Sequence, residues 1–501
     1  MAPDPGRVRL RVSLRAVLGV ALAVALAELC GLSLVASITA GLAALLALFT
    51  VADPTVRRQA VTTALLPAVG FPVLAVATLL HDAPQLRDAT WLLVAFAGVY
   101  ARRWGPRGHA LGIFAFMQFF VTQFLHALPA QLPELYAATG IALAATATVR
   151  FVLWPIERRV PPPAVPAALP GTGLARATTR QAIQVCVASG AALVLGQFLS
   201  EERWYWAVGT VWWIFVNTAS RGETLVRGFR RVLGTVTGIA GGFLIAIPLG
   251  GAPLATALLV AACVFGIFYT AAVSYSWMIL AVTVMASLLY GLLGVLDGAL
   301  LLLRVTETAV GAVCAALAVT LILPVRTHTT NDTWIQRALL CVQAATSASV
   351  RRLAGDAAAD PTPHAAELEA LLGRVRLALA PLVHPLNPFT ARKERARRVL
   401  VLLDEAAREV RGLVDVAADP DAGHDARLAA ACWRVEASVD ALTSGGGAGG
   451  GAAVEPDAHP RTEGDAHVGA PALLHARGLA RVLTELDAPL RTPPRAWVVR
   501  S

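Results

Sequence analysis

Long apolar runs, separated by short polar turns that hold most of the arginines, fill the first 326 residues of the chain. A helix of about 20 apolar residues crosses a hydrocarbon core of roughly 30 Å. The pattern therefore predicts transmembrane helices near 14–30, 32–50, 61–80, 88–101, 108–128, 134–154, 180–199, 204–219, 231–250, 252–271, 274–296 and 300–323. The run at 88–101 is short for this thickness. The fold class is all-α, with about twelve spans.

The runs form two sets of six, residues 1–160 and 176–326, joined by a proline-rich linker at 161–175. The sets share landmarks at equivalent positions, which are Arg58 and Arg231, Thr62 and Thr235, and Pro155 and Pro324. Because each set has an even number of spans, both have the same orientation in the membrane. The sequence thus predicts two parallel six-helix repeats.

The chain changes character after residue 326. Apolar residues at helical spacing predict a cytoplasmic domain of about four helices over 327–443. A glycine-rich flexible linker is expected at 444–470, and a last helix with a proline-rich tail at 471–501.

Composition supports a membrane protein, since 56% of the 501 residues are hydrophobic and 15% are charged. The net charge of +9 does not indicate nucleic acid, because the arginines before residue 327 lie mainly in turns between apolar runs. Placing the N-terminus inside leaves most of these arginines in cytoplasmic segments, as the positive-inside rule requires. We therefore predict a multi-pass protein of the inner membrane with both termini in the cytoplasm.

No enzyme motif is present. The sequence lacks a phosphate-binding G-x-x-x-x-G-K-[ST] loop, an H-E-x-x-H zinc motif and a G-x-S-x-G nucleophile elbow. The cysteines form no C-x-x-C pair, and the histidines have no ligand spacing. We expect no catalytic activity, no cofactor and no bound metal.

Charged residues inside apolar helices are functional candidates, because burying them costs free energy. Arg304 and Glu307 lie one helical turn apart in the last predicted span, where they could bind an anion and exchange a proton. A structural ion pair is the alternative. Glu28, near the outer end of the first span, is a second proton-coupling candidate or an interfacial carboxylate.

The segment 204–248 contains further candidates. Trp212 and Trp213 could stack on a planar substrate, and Asn217 could donate a hydrogen bond to a carboxylate or simply end the helix. Gly234, Gly238 and Gly242 repeat every four residues, which indicates close packing against another helix.

Residues of this segment resemble the fusaric acid resistance (FUSC) family, which is related to aromatic acid exporters. The matching positions are Tyr205, Trp206, Thr210, Arg231, Gly234, Thr235 and Gly238. The closing span resembles that family as well, at Arg304, Glu307, Thr308, Gly311 and Pro324. The resemblance implies efflux of small organic acids, aromatic or phenolic, driven by the proton gradient, with Arg231 attracting the anion at the inner mouth.

Two other functions remain open at this stage. The membrane half is also similar to the plant malate channels, which would make the chain an organic-anion channel. The chain could instead be a membrane anchor whose helical C-terminal domain binds a partner. The expected partners are a small organic anion and the lipid bilayer but not nucleic acid, and a homo-oligomer is left open.

Overall fold

The computed structural model describes residues 7–157, 172–218, 220–249, 252–324, 327–383, 390–419, 426–443 and 470–491. These residues fold into α-helices with short 3₁₀ turns and contain no strand, so the chain is all-α as predicted. The chain divides into two compact units, with the boundary after Val325. Most of the predicted linkers, 161–171 and 444–469, lie outside the described residues.

The first unit contains twelve α-helices among its described residues. They are α1 (Val8–Leu29), α2 (Leu34–Thr50), α3 (Val56–Leu79), α4 (Pro84–Tyr100), α5 (Gly105–Phe124), α6 (Leu132–Glu157), α7 (Ala177–Leu199), α8 (Tyr205–Phe215), α9 (Arg221–Leu249), α10 (Pro253–Ala271), α11 (Tyr275–Leu292) and α12 (Gly298–Leu321). Each predicted apolar run therefore coincides with one helix.

Eight helical segments in the described part of the chain are long and apolar enough to cross a membrane, which makes this a multi-pass membrane protein. They comprise α1, α3, α6 with the short turn before it, α7 and α9 to α12. α2 is apolar but has only 17 residues, and α8 has 11 and is about 16 Å long. The count of twelve full spans stays a prediction.

Helix contacts repeat between the two predicted sets. In the first set α1 packs on α2 and α6, α2 on α6, α3 on α5 and α6, and α4 on α5. In the second set α7 packs on α8 and α12, α8 on α12, α9 on α11 and α12, and α10 on α11. The two sets contact each other where α1 packs on α10 and where α4 packs on α7. These two contacts are equivalent, because α1 corresponds to α7 and α4 corresponds to α10.

Local sequence explains several helix boundaries. The Ser33 hydroxyl accepts a hydrogen bond from the amide of Ala36 at the start of α2. The Asp297 carboxylate does the same for the amide of Leu300 at the start of α12. Such side chains satisfy amides that the first turn of a helix leaves without an internal acceptor.

The second unit contains α13 (Thr327–Leu353), α14 (Thr362–Val383), α15 (Thr390–Ala417), α16 (Ala426–Thr443) and α17 (Ala470–Arg491). α13 packs on α14, α15 and α16, and α14 packs on α15. The last helix is not detached from this group, because α17 packs on both α15 and α16. His475 of α17 lies 2.8 Å from the carboxylate of Glu409 on α15.

Candidate functional site

The aromatic helix α8 is almost wholly buried inside the first unit. Trp204, Tyr205 and Trp206 are 3%, 1% and 6% exposed, so these rings do not form a belt at the membrane surface. The Trp206 ring makes an edge contact with Phe120, with ring centroids 5.0 Å apart. Since α8 also packs on α7 and α12, this short helix forms part of the core.

The run predicted to span 204–219 leaves the helical conformation early, at Val216. Asn217 adopts a left-handed backbone with φ 64°, which a helix cannot continue. Its Oδ1 accepts a hydrogen bond from His109 Nε2 at 2.8 Å. The described residues after α8 are therefore non-helical, and Asn217 lies at that break and outside the two cavities described below.

Arg102 satisfies backbone carbonyls at this break. Its guanidinium donates to the carbonyl oxygens of Phe215 and Thr218 at 3.3 and 3.2 Å. Gln181 donates to the Thr218 carbonyl as well, at 2.8 Å. Backbone groups that a helix would satisfy need other partners where the helix ends, and these side chains supply them.

Arg231 is a buried cation, 5% exposed, near the start of the apolar part of α9. Its Nε donates to the Thr210 hydroxyl of α8 at 3.2 Å. Its Nη1 donates to the Tyr275 hydroxyl at 3.4 Å, and that hydroxyl donates to the carbonyl of Trp213. A guanidinium carries five N–H donors, so these two bonds leave donors for a ligand.

Arg231 and Trp213 line an apolar cavity. Helices α2, α5, α8, α9, α10 and α11 supply its walls. Its aromatic lining consists of Phe49, Phe120, Phe124, Trp206 and Trp213, and Arg231 is its only charged lining residue. Phe49 and Trp213 make an edge contact, with ring centroids 6.1 Å apart. The cavity thus combines flat apolar surfaces with one cation.

Trp212 occupies a different place from its neighbour. Its ring stacks on Phe116 with centroids 4.1 Å apart and lies against Gly98, where any Cβ would come within 2.6 Å of it. Trp212 is 1% exposed and does not line the cavity. Of the two adjacent tryptophans, the structure brings only Trp213 to Arg231.

Arg304 and Glu307 are buried in α12 at 4% and 0% exposure. Both carboxylate oxygens of Glu307, and the Nε and Nη1 of Arg304, lack hydrogen-bond partners among the described residues. The guanidinium instead lies over the Trp206 ring, 3.7 Å from its centroid. The two residues therefore share a helix face without forming the hydrogen-bonded ion pair that a purely structural role would favour.

Tyr290 is a member of this site that the sequence did not reveal. Its hydroxyl accepts a hydrogen bond from Trp206 Nε1 at 2.6 Å and lies 3.0 Å from the hydroxyl of Tyr205. Tyr290 is fully buried on α11. A lone tyrosine within an apolar run carries no spacing pattern, and only the position of α11 against α8 could show its role.

Glu28 lines a second, larger cavity of about 340 Å³ between α1, α2, α10 and α11. Its wall is otherwise made of apolar side chains, with Ser37 as the other polar group. The two cavities adjoin, because Leu42, Leu45, Met285 and Leu289 line both. Glu28 is thus on the opposite side of these four side chains from Arg231.

The glycines of α9 face α11. A Cβ at Gly234 would lie 2.6 Å from the carbonyl oxygen of Ser276, and one at Gly238 would lie 2.6 Å from Thr283 Cβ. Gly242 would meet Ser287 in the same way. Thr235 is buried beside this contact. The face is therefore a packing surface.

Pro155 lies in the last turn of α6, and Pro324 follows the end of α12 at Leu321. Pro324 is not part of the wall of either cavity. Within the described ranges, no group of three or more histidine, cysteine, aspartate or glutamate side chains is arranged to hold a metal ion.

Comparison with known proteins gives one match. No curated protein and no solved structure matches the chain. Residues 191–318, from within α7 to near the end of α12, match the model of the family described as fusaric acid resistance protein-like. This segment contains α8, Arg231, Tyr290, Arg304 and Glu307. The helices from α7 to α12 are therefore similar to this family over the matched residues, which confirms the resemblance of the Trp-rich and closing segments.

Proposed function

We propose that this protein is a membrane transporter that exports small organic acids, aromatic or phenolic, and uses the proton gradient to do so. The observation that carries the proposal is the aromatic-lined cavity with a single charged residue, Arg231. The family match and the apolar helices suggest transport, and the cavity adds a substrate class.

The lining suits a planar anion. A guanidinium binds a carboxylate through two parallel hydrogen bonds, which favours this group over a neutral one. Aromatic rings such as Trp206 and Trp213 offer flat surfaces for the ring of the substrate in offset or edge contact. Apolar walls also exclude water, which strengthens the attraction between Arg231 and the anion.

Glu307 is our candidate for the proton-coupling group. It is fully buried, and its carboxylate oxygens have no hydrogen-bond partner in the described structure. Arg304 connects it to the substrate cavity, because the guanidinium lies over Trp206 and Trp206 forms part of the cavity wall. A change of charge at Glu307 would therefore act on Arg304 and on the wall that the substrate contacts.

The arrangement in the membrane is also a proposal. We infer two parallel repeats of six crossings, with α8 crossing as a short helix followed by extended chain. The repeated helix pairings support this layout. The arginine-rich turns support cytoplasmic termini in the inner membrane, and hence a cytoplasmic position for the helices from α13 to α17.

Substitution of the cavity cation tests the function in cells. We expect expression of the wild-type protein to protect a host lacking its own aromatic acid exporters against a panel of aromatic carboxylates. Arg231→Gln should abolish the protection, because a charged hydrogen bond contributes about 1.5–3 kcal/mol, or at least tenfold in affinity. Growth and cell-associated substrate are the measurements, with membrane abundance determined by immunoblot.

Arg230→Gln is the matched control, since Arg230 is the neighbouring arginine and does not line the cavity. It should protect as well as the wild type. Full protection by an abundant Arg231→Gln protein would overturn the substrate site. Failure of the wild type with every aromatic carboxylate would overturn the substrate class.

A further inference from the structure

We propose that the second cavity is a binding site for an amphiphilic ammonium compound, a molecule with an apolar body and one positive nitrogen. This site is distinct from the proposed anion site and does not depend on it. The proposal rests on the lining, on Glu28 and on the buried hydroxyl of Ser37.

The walls select an apolar body. Residues of α1, α2, α10 and α11 enclose about 340 Å³, and apart from Glu28 and Ser37 they present only apolar side chains and Gly41. This volume lies in the usual range for small-molecule sites. Binding of an apolar body there is favourable, because it removes apolar surface from water.

Glu28 selects the charge. Its carboxylate is the only ionisable group in the lining, and its side chain is exposed, so the charge lies where the cavity opens. The other carboxylate near the α1–α2 turn, Glu134, lies outside the lining and accepts a hydrogen bond from the Ser33 hydroxyl. Negative charge at this opening attracts cations and repels anions.

Ser37 supplies a polar contact deeper in the cavity. It is 4% exposed, and its Oγ has no hydrogen-bond partner among the described residues. A buried polar atom without a partner costs free energy unless a ligand or water satisfies it. A ligand that carries a hydroxyl, ether or amide group along its apolar body would provide that partner.

Binding of benzyltriethylammonium, a permanently charged probe, tests the proposal. The full-length protein in phosphatidylglycerol nanodiscs should bind the radiolabelled probe saturably, and benzoate should not compete for this site. Glu28→Gln should weaken binding at least tenfold, because the ion pair lies against a low-dielectric wall. Glu134→Gln is the control. It removes the same charge at a position outside the lining and should change the affinity for the probe less than twofold.

Two further variants locate the site. Ala257→Trp fills the cavity from an exposed wall position and should also abolish binding, with folding checked by size-exclusion chromatography. Arg231→Gln should bind the probe normally, which separates this site from the anion cavity. Unsaturable binding to the wild type, or unchanged affinity in Glu28→Gln, would overturn the proposal.

Two kinds of natural ligand carry such an ammonium group: a lipid, in its headgroup, and a water-soluble amine. Adding phosphatidylethanolamine to the nanodiscs distinguishes them. Competition with the probe would identify a lipid headgroup in the site, whereas undiminished binding would identify a soluble amphiphilic amine. Either result supports the same recognition chemistry.

Discussion

Four arginines of the first unit, three of them buried, serve different chemical roles. Arg102 and Arg150 donate to backbone carbonyls, and Arg150 does so at the end of α2, to Val51 at 3.0 Å and Ala47 at 3.2 Å. Arg231 instead faces a cavity, and Arg304 lies over an aromatic ring. An arginine that donates to carbonyls stabilises the fold, whereas one that faces a cavity is available to a ligand.

Arg304 and Glu307 could be selected from sequence because their charges lie inside an apolar run, whereas Arg231 was selected by the family resemblance. All three side chains are buried, and their roles stay predictions. Sequence alone could not show which of the two tryptophans lines a cavity. Adjacent residues point about 100° apart around a helix, so the two side chains face different neighbours. Which of Trp212 and Trp213 reaches a cavity depends on neighbouring helices that no local pattern describes.

Glu307→Gln tests the proton-coupling role. We expect this variant to bind an aromatic carboxylate with near-normal affinity but to lose accumulation driven by a proton gradient, because the amide cannot take up and release a proton. Arg304→Gln should weaken substrate affinity as well, because it removes the cation that lies over Trp206, a residue of the cavity wall. Binding and gradient-driven flux in reconstituted protein are the measurements.

Glu202→Gln, at an exposed position in the turn before α8, is the control and should behave as wild type. A purely structural role for Arg304 and Glu307 gives another pattern. Both single variants would then lose folded protein, and the double neutral variant would recover it. Normal coupled flux in the double variant would contradict the proton-coupling role.

At the scale of the helix, the predicted apolar runs all became helices because their composition favours internally bonded backbone in an apolar environment. Hydropathy predicted a span to 219, and only Asn217 was a candidate for ending the helix, which the structure ends at Phe215. The break depends on Arg102 and His109, which lie more than a hundred residues away in sequence. Long-range contacts of this kind leave no periodic pattern.

The packing of α9 on α11 gives the element-level prediction. Gly238→Leu should reduce the amount of folded protein strongly, because the new side chain would meet Thr283 and the carbonyl of Leu280. Overpacking a close contact costs about 1–3 kcal/mol or more. Thermal unfolding of purified protein and membrane abundance are the measurements.

Ala240→Leu serves as the control on the same helix. Ala240 is exposed, so the same added volume points away from the core and should leave abundance unchanged. An abundant Gly238→Leu protein with normal thermal stability and no transport would show that the glycine face contacts substrate instead of α11.

At the scale of the whole molecule, the two cavities lie where the two predicted sets of helices meet. The anion cavity and the second cavity adjoin at Leu42, Leu45, Met285 and Leu289, which belong to α2 and α11. These helices come one from each predicted set. These four apolar side chains therefore lie between the proposed anion site and the proposed ammonium site.

The sequence predicts the division into membrane helices and C-terminal helices better than it predicts how these helices pack together. The apolar pattern predicts α1 to α12, and the helical spacing after residue 326 predicts α13 to α16. The docking of α17 onto α15 and α16 could not be foreseen, because a glycine-rich stretch separates it from them in sequence. Likewise, the cavities are formed by several helices together, so no single run of residues predicts them.

The most direct test of the central claim is gradient-driven transport by the purified full-length protein in liposomes with an acidic interior. Membrane potential is held near zero with potassium and valinomycin, and the uptake of a labelled aromatic carboxylate is measured. Proton–anion exchange predicts accumulation inside, which is abolished by a protonophore. Passive permeation of the neutral acid gives the opposite distribution, since weak acids concentrate in the alkaline compartment. Uptake that only equalises the anion, with no response to the proton gradient, would contradict coupled export and indicate a channel.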